Sequence, residues 1–250
     1  MRTANPALNS STFDTFDGYA IERSDAMTLQ GTANKTGMLL VLLTASAGFS
    51  WVQLRQAGGF QAVMPYFVGG LAASLIAAIT LWFKRDWAAI LAPIYAVGEG
   101  LVLGILSAVF EAKFQGIVFQ AVCLTFGTLF SLLTAYRTGL IKPTENFKLG
   151  VFAATGAVAL LYLVNMIMHF CGMGGVSFLH GSSWMAIGIN GVIVVIAALN
   201  LVLDFDFIEA GVKHGAPKYM EWYAGYGLLV TLVWLYIEIL RLLSKIYSRD

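Results

Sequence analysis

Carboxylic acids occur within segments of the chain that are otherwise apolar. Asp204 and Asp206 lie near the end of one such segment, LNLVLDFDFIE. Glu99 lies in the middle of another, and Glu238 lies in LYIEILRLL. An ionised side chain at the centre of a membrane-spanning helix costs roughly 2.5–3.5 kcal/mol on insertion scales, so such residues usually face the bundle interior and have a partner or a role. Carboxylates take up protons and are hard oxygen ligands for cations. These acids therefore indicate proton or cation binding inside a bilayer.

Helical geometry separates the two aspartates, because a step of two residues turns the chain by about 200°. The face of Asp204 also carries Asn200 and Asn190, a polar stripe suited to helix packing, which predicts that Asp204 points inward. Asp206 lies closer to the aqueous boundary, where a solvated helix end is an equally good interpretation. Both acids come near the predicted carboxyl end of a helix, whose dipole is negative, so we expect a basic partner from another helix.

The predicted partner is Lys84 or Arg85, at the end of the second apolar segment. In a chain of alternating spans, the ends of the second and sixth helices share one face of the membrane, which brings these cations to the depth of Asp204 and Asp206. A partly buried bridge of this kind would be broken by protonation and would release two helices, as a pH-gated pathway requires. A static ion pair at the interface is the alternative.

Three other acids are distinguished by their neighbours. Glu99 lies between two glycines at mid-span, and we expect it to be protonated or wetted by a cavity; a neutral carboxyl bonded across helices is the alternative. Glu238 lies one turn before Arg241, which predicts an intrahelical pair near the outer interface. Glu221, beside Trp222, is typical of an interfacial belt.

Long apolar helices must position these residues. Of the 250 residues, 58% are hydrophobic and 12% charged, and the mean hydropathy is +0.76. A span needs about 20 apolar residues. The fold class predicted is an all-α integral membrane protein, a seven-transmembrane-helix bundle over residues 36–250, after a polar and flexible tail over residues 1–35. The predicted spans cover residues 37–54, 63–83, 88–110, 117–136, 149–170, 184–208 and 222–243.

The charge distribution and the motifs exclude several functions. A net charge of +1 provides no basic field for nucleic acid. Cys123 and Cys171 lack metal-ligand spacing, and GxGD, GxSG and HExxH motifs are absent, so we expect neither a cofactor nor an enzyme. Ten Lys and Arg residues fall on the amino-terminal side of the predicted spans and five on the other, which favours a cytoplasmic N-terminus.

The segments LWFKR, LNLVLDFDFIE and LYIEILRLL, in this order on the second, sixth and seventh helices, resemble the Bax-inhibitor (transmembrane Bax-inhibitor motif) family. In particular they resemble its bacterial, YccA-like branch, and the likeness spans residues 36–250. The resemblance implies a seven-helix bundle with a central seventh helix and a pH-sensitive calcium leak. In that family, an aspartate pair on helices six and seven shares a proton, and a basic residue closing helix two locks against it.

The resemblance also implies roles for particular residues. Asp204 matches the sixth-helix aspartate and Lys84 the basic latch. The second aspartate of the family falls on Thr231 or Glu238, depending on the alignment, and antiparallel geometry puts Glu238 near the opposite end from Asp204. Asp206 or Glu99 can then serve as the second acid. Asp204 and Asp206 are the residues expected to offer oxygen ligands to calcium.

Two functions are compatible with these features. The leading hypothesis is a pH-sensitive calcium leak channel or exchanger in a bacterial plasma (inner) membrane, with the lipid bilayer, calcium ions and protons as its partners. The alternative is a regulatory protein without transport activity, which binds other membrane proteins such as a quality-control protease.

Overall fold

The structure, a computed structural model, describes residues 26–56, 59–172, 181 and 183–249. Within these residues seven α-helices are long and apolar enough to cross a membrane, as the hydropathy predicts. A 3-10 turn over Arg85–Trp87 connects the second helix to the third. The helices are α1 (Leu29–Gln56), α2 (Phe60–Phe83), α3 (Ala88–Lys113), α4 (Ile117–Arg137), α5 (Glu145–Phe170), α6 (Trp184–Lys213) and α7 (Met220–Tyr247).

Helix α1 begins at Leu29, within the segment that hydropathy assigns to the tail. Thr28 caps it, because its Oγ1 accepts a hydrogen bond of 2.9 Å from the backbone N–H of Gly31. Residues 29–35, which include four polar side chains, therefore form the first turns of a helix whose apolar part starts later. The predicted flexibility of residues 1–25 concerns a segment outside the described residues.

The contacts of the chain divide it into two compact units. The first unit contains residues 26–115 and 207–230, which comprise α1 to α3, the end of α6 and the start of α7. The second unit contains residues 116–206 and 231–249, which comprise α4, α5 and the remaining parts of α6 and α7. Helices α6 and α7 thus contribute residues to both units.

In the first unit, α1 and α2 both pack on α3 through glycine. A Cβ at Gly70 would come 2.7 Å from the carbonyl oxygen of Gly98, and a Cβ at Gly98 would come 2.7 Å from the carbonyl oxygen of Gly70. A Cβ at Gly104 would overlap the carbonyl of Ala47 on α1, and Gly100 is equally close to α1 one turn earlier. The Gly100-x-x-x-Gly104 spacing thus lets α3 approach α1 closely.

In the second unit, α5 and α6 run antiparallel and touch at intervals of one helical turn. Buried Val151 packs with Leu203, and Asn200 donates a 2.8 Å hydrogen bond to the Oγ1 of Thr155. Lys148 continues this register one turn further and meets α6 at residue 206. These contacts set the register of α5 against α6 and place Lys148 beside Asp206.

Helix α7 is the most enclosed of the spans. In its apolar stretch 56% of the residues are buried, compared with at most 44% in any other described span and 11% in α5. This burial agrees with the central seventh helix that the resemblance implies.

Candidate ion and proton sites in the membrane-spanning helices

Asp204 is completely buried, with 0% of its surface exposed. The residues on its face of α6, including Asn200 and Asn190, are buried as well, so the amide-bearing stripe correctly predicts the inward face. Helix α6 continues to Lys213, two turns beyond Asp204. The terminal dipole acts only within the last turn, so enclosure by protein, and not the dipole, is the reason for this acid to require compensation.

Asp206 forms an ion pair with Lys148 of α5, with 2.8 Å between Nζ and Oδ2. The side chains are 6% exposed for Lys148 and 21% exposed for Asp206. Lys148 also lies 3.2 Å from Glu145, but that carboxylate is 79% exposed and adds little. Asp206 is therefore a paired and largely enclosed acid, and α6 continues beyond it to Lys213.

Lys148 has no distinguishing motif, and sequence reasoning missed its role. Its one signal is spacing, since it lies three residues before Val151 and seven before Thr155, both of which face α6. Charge-assisted hydrogen bonds of this type are about twice as strong as neutral ones. The pair joins α5 to α6 two residues from Asp204 and is the kind of contact that protonation of a carboxylate would break.

The predicted latch residues lie at the α2–α3 connection in the first unit. Lys84 is exposed and places its Nζ 4.6 Å from the centroid of the Trp87 ring. The guanidinium carbon of Arg85 lies 5.8 Å from the centroid of the Tyr223 ring on α7. The pairing of Lys84 with Asp204 stays a prediction.

Glu99 and Thr231, two candidates for the second acid position, lie on different helices. Glu99 is half-buried on α3, and its carboxylate is beside the hydroxyl of Ser74 on α2. Whether Glu99 is a neutral carboxyl, as the alternative holds, stays a prediction. Thr231 is buried on α7, where a hydroxyl can accept and donate a proton but carries no charge.

Glu238 is only 1% exposed, although sequence analysis places it near an interface. Its carboxylate receives the Tyr162 hydroxyl at 2.8 Å, the Trp234 indole N–H at 3.2 Å and the Asn190 amide at 3.2 Å. The predicted pair with Arg241 is present at 3.4 Å. The intrahelical pair is thus confirmed, within a buried cluster that joins α5, α6 and α7.

The Glu238 cluster lies far from the aspartates. Tyr162, which bonds Glu238, comes fourteen residues after Lys148 on α5, a separation of about 21 Å at helical rise. Lys148 in turn contacts Asp206 on α6. Glu238 therefore cannot share a proton directly with Asp204 or Asp206, as antiparallel geometry predicts.

Glu221 lies in the first turn of α7 and is buried, so its interfacial assignment stays a prediction. Its Oε1 accepts hydrogen bonds from the N–H and the Oγ1–H of Thr28, at 3.0 and 2.9 Å, and pairs with Lys218 at 2.9 Å. Next to these contacts, Met27 N–H donates to the carbonyl of Ala216 at 2.6 Å. Glu221 consequently anchors the start of α1 to the start of α7.

Within the residues that the structure describes, no three His, Cys, Asp or Glu side chains are close enough together to hold a metal ion. Calcium ligation by Asp204 and Asp206 stays a prediction. The described helices and their buried charges define a polytopic α-helical membrane protein.

Comparison with known proteins assigns the family. The chain belongs to the Bax inhibitor 1 like family, whose model matches residues 5–248. No curated protein and no solved structure matches the chain. The family expected from three short segments is thereby confirmed, and the match begins well before the first span.

Proposed function

We propose that this protein is a cation leak channel or exchanger, that calcium is the ion it carries, and that pH controls it through the carboxylates of α6. The observation that supports this most directly is the complete burial of Asp204 within a membrane-spanning helix. A carboxylate in that position is costly unless it is neutralised, and protons and cations compete to neutralise it. Hard oxygen ligands suit calcium.

The gate that we propose is the set of basic residues near the end of α6. Lys148 pairs with Asp206, and Lys84 or Arg85 is the proposed latch from the end of α2. A proton on Asp206 removes its negative charge and leaves the enclosed Lys148 ammonium with only the exposed Glu145 carboxylate on its own helix, which favours separation of α5 from α6. Acidification therefore opens the gate, because the ion pair exists only while the carboxylate is ionised.

Calcium flux in proteoliposomes tests this function. We expect wild-type flux to rise as the pH is lowered, Asp204→Asn to reduce calcium flux, and Asp206→Asn to conduct at neutral pH as the wild type does at acid pH. Lys84→Ala gives the same loss of pH control if Lys84 is the latch. Glu145→Gln is the matched control, because Glu145 also touches Lys148 but is exposed.

Equal flux from the wild type, the aspartate variants and empty liposomes would contradict the proposal. That result would favour the regulatory alternative, in which the protein binds other membrane proteins and the charges only hold helices together. Recovery of partners with and without residues 1–25 then tests the alternative directly.

The proposed location is a bacterial plasma membrane with the N-terminus in the cytoplasm. The excess of Lys and Arg on the amino-terminal side supports this orientation. In a background in which the exposed Cys123 and Cys171 are replaced by serine, single cysteines distinguish the two orientations by labelling intact cells. They are introduced at exposed Lys113, the last residue of α3, and at exposed Lys142, in the connection between α4 and α5 on the opposite side. Labelling of the position-142 variant without labelling of the position-113 variant would reverse the orientation.

A further inference from the structure

Three buried tyrosines of the first unit lie in contact with one another. The rings of Tyr223 and Tyr226 on α7 have centroids 6.2 Å apart. The ring of Tyr226 meets that of Tyr95 on α3 edge to face, with 4.8 Å between centroids. All three side chains are buried, and Arg85 lies against the outer ring, that of Tyr223. We call Tyr223, Tyr226 and Tyr95 the tyrosine column.

The tyrosine column leads from the membrane surface toward the middle of the bilayer. At helical rise, Tyr223 is about 5 Å beyond the start of α7, and both Tyr226 and Tyr95 are about 10 Å beyond the starts of their helices. Glu99 lies one turn deeper on the face of Tyr95, about 17 Å into α3. That depth is about half of a 30 Å hydrocarbon core. The column therefore ends one helical turn before an acid near the middle of α3.

Hydroxyl-bearing side chains from three other helices lie near Glu99 or the glycine next to it. Tyr95 precedes it on α3, α2 presents the Ser74 hydroxyl and α7 presents Tyr226. On α1, the Ser46 hydroxyl lies against the glycine that follows Glu99. The carboxylate is within electrostatic range of both phenols. Hydroxyl groups both donate and accept hydrogen bonds, so these neighbours are suited to pass a proton to or from the carboxylate.

The outer end of the tyrosine column carries charged groups. Arg85 touches Tyr223, and both Arg85 and Asp86 act on Tyr219, which precedes α7. Burial first, and then the Asp86 carboxylate, raises the pKa of Tyr219, while Arg85 opposes the rise. Tyr219 therefore keeps its proton at neutral pH. On α1, Lys35 lies 4.8 Å from the ring centroid of Trp222 at the same end of α7.

We propose that Glu99 is a proton-binding site and that the tyrosine column carries protons between Glu99 and the membrane surface at Arg85. Each phenol oxygen accepts one proton and releases its own to the next oxygen, so no charge accumulates on the column. Ring spacings of 4.8 and 6.2 Å allow neighbouring hydroxyls to be joined by a hydrogen bond or by one water molecule. The carboxylate gains the proton, and its neutral form is the less costly one at this depth.

This site goes beyond the proposed calcium leak, because neither Asp204 nor Asp206 takes part in it. Aromatic packing is the competing explanation for the column, since an edge-to-face pair contributes about 0.5–1.5 kcal/mol by itself. The two explanations differ in what they require of the side chain. Packing needs only the rings, whereas proton transfer needs the hydroxyls, so Tyr→Phe substitutions separate them.

The test measures protonation of Glu99 by infrared spectroscopy of the full chain in lipid nanodiscs after a rapid drop in pH. The C=O band of the protonated carboxyl is assigned to Glu99 by its loss in Glu99→Gln. We expect Tyr223→Phe and Tyr226→Phe to slow the appearance of this band by at least about tenfold, equivalent to about 1.4 kcal/mol of barrier. Tyr66→Phe is the matched control, because Tyr66 is an exposed tyrosine of the same unit with an edge contact to Phe49.

Any of three results would overturn the proposal. The first is that the pH drop changes no infrared band that is lost in Glu99→Gln. The second is that the band appears at the wild-type rate in both Tyr223→Phe and Tyr226→Phe. A rate that also falls in Tyr66→Phe would likewise overturn it, since the effect would not be specific to the column. The experiment measures no ion flux, so its outcome and that of the calcium flux assay are independent of one another.

Discussion

Loss of the Lys148 ammonium should destabilise the helix bundle by an amount that the structure bounds. The substitution Lys148→Met keeps a long unbranched side chain and leaves Asp206 enclosed without a cation. Removing one partner of a fully buried ion pair costs about 3–5 kcal/mol. Because 21% of the Asp206 side chain is exposed, water compensates in part, and we expect the free energy of unfolding to fall by about 2–3 kcal/mol.

A double variant distinguishes the contribution of the ion pair from that of side-chain packing. In Lys148→Met/Asp206→Leu both charges are replaced by apolar groups, and such replacements are often neutral or stabilising. We expect the double variant to lie within about 1 kcal/mol of the wild type. A double-mutant cycle over the four proteins then gives the coupling energy between the two side chains.

The assay is reversible unfolding by SDS in mixed micelles at neutral pH, followed by circular dichroism. Glu145→Gln is the control, because it removes the exposed carboxylate next to Lys148 and should change stability by less than about 1 kcal/mol. If Lys148→Met is no more destabilising than Glu145→Gln, or if the double variant is as unstable as the single one, the ion pair does not hold α5 to α6.

Two further substitutions test the other buried carboxylates. Gly31→Ala places a Cβ against the Glu221 carboxylate and must displace it from its donors, which we expect to cost about 2 kcal/mol. Gly37→Ala on the same helix meets open space and should instead stabilise by about 0.5–1 kcal/mol; equal effects of the two in SDS unfolding would contradict this account. Tyr162→Phe removes one of several donors to Glu238 and should lower stability by about 1 kcal/mol in the same assay, and an unchanged stability would mean that the remaining donors suffice.

Local sequence properties were enough to predict the spans and the family. Apolar runs of about 20 residues identify helices whatever their neighbours are, since the bilayer sets the required length. The same reasoning placed the start of α1 too late, because hydropathy does not register the Thr28 cap and the polar turns that follow it. Periodicity alone also identified Asp204 as inward-facing, since its amide-bearing stripe can be read from spacing within one helix.

The partners of the buried acids could not be read in this way. Whether Asp206 meets water, Lys84 or Lys148 depends on which helix lies beside α6 and in which register, and that register follows from contacts such as Val151 with Leu203. The burial of Glu221 depends likewise on the segment before α1.

The tyrosine column shows the same division between local and long-range information. Tyr95 and Tyr226 lie on helices separated by more than a hundred residues and by most of the other spans, yet their rings are in contact. Composition and periodicity report on one helix at a time, because they depend on a residue's nearest neighbours in the chain. Ion pairs and aromatic contacts between spans depend on how helices are arranged beside one another, which is a property of the folded chain as a whole.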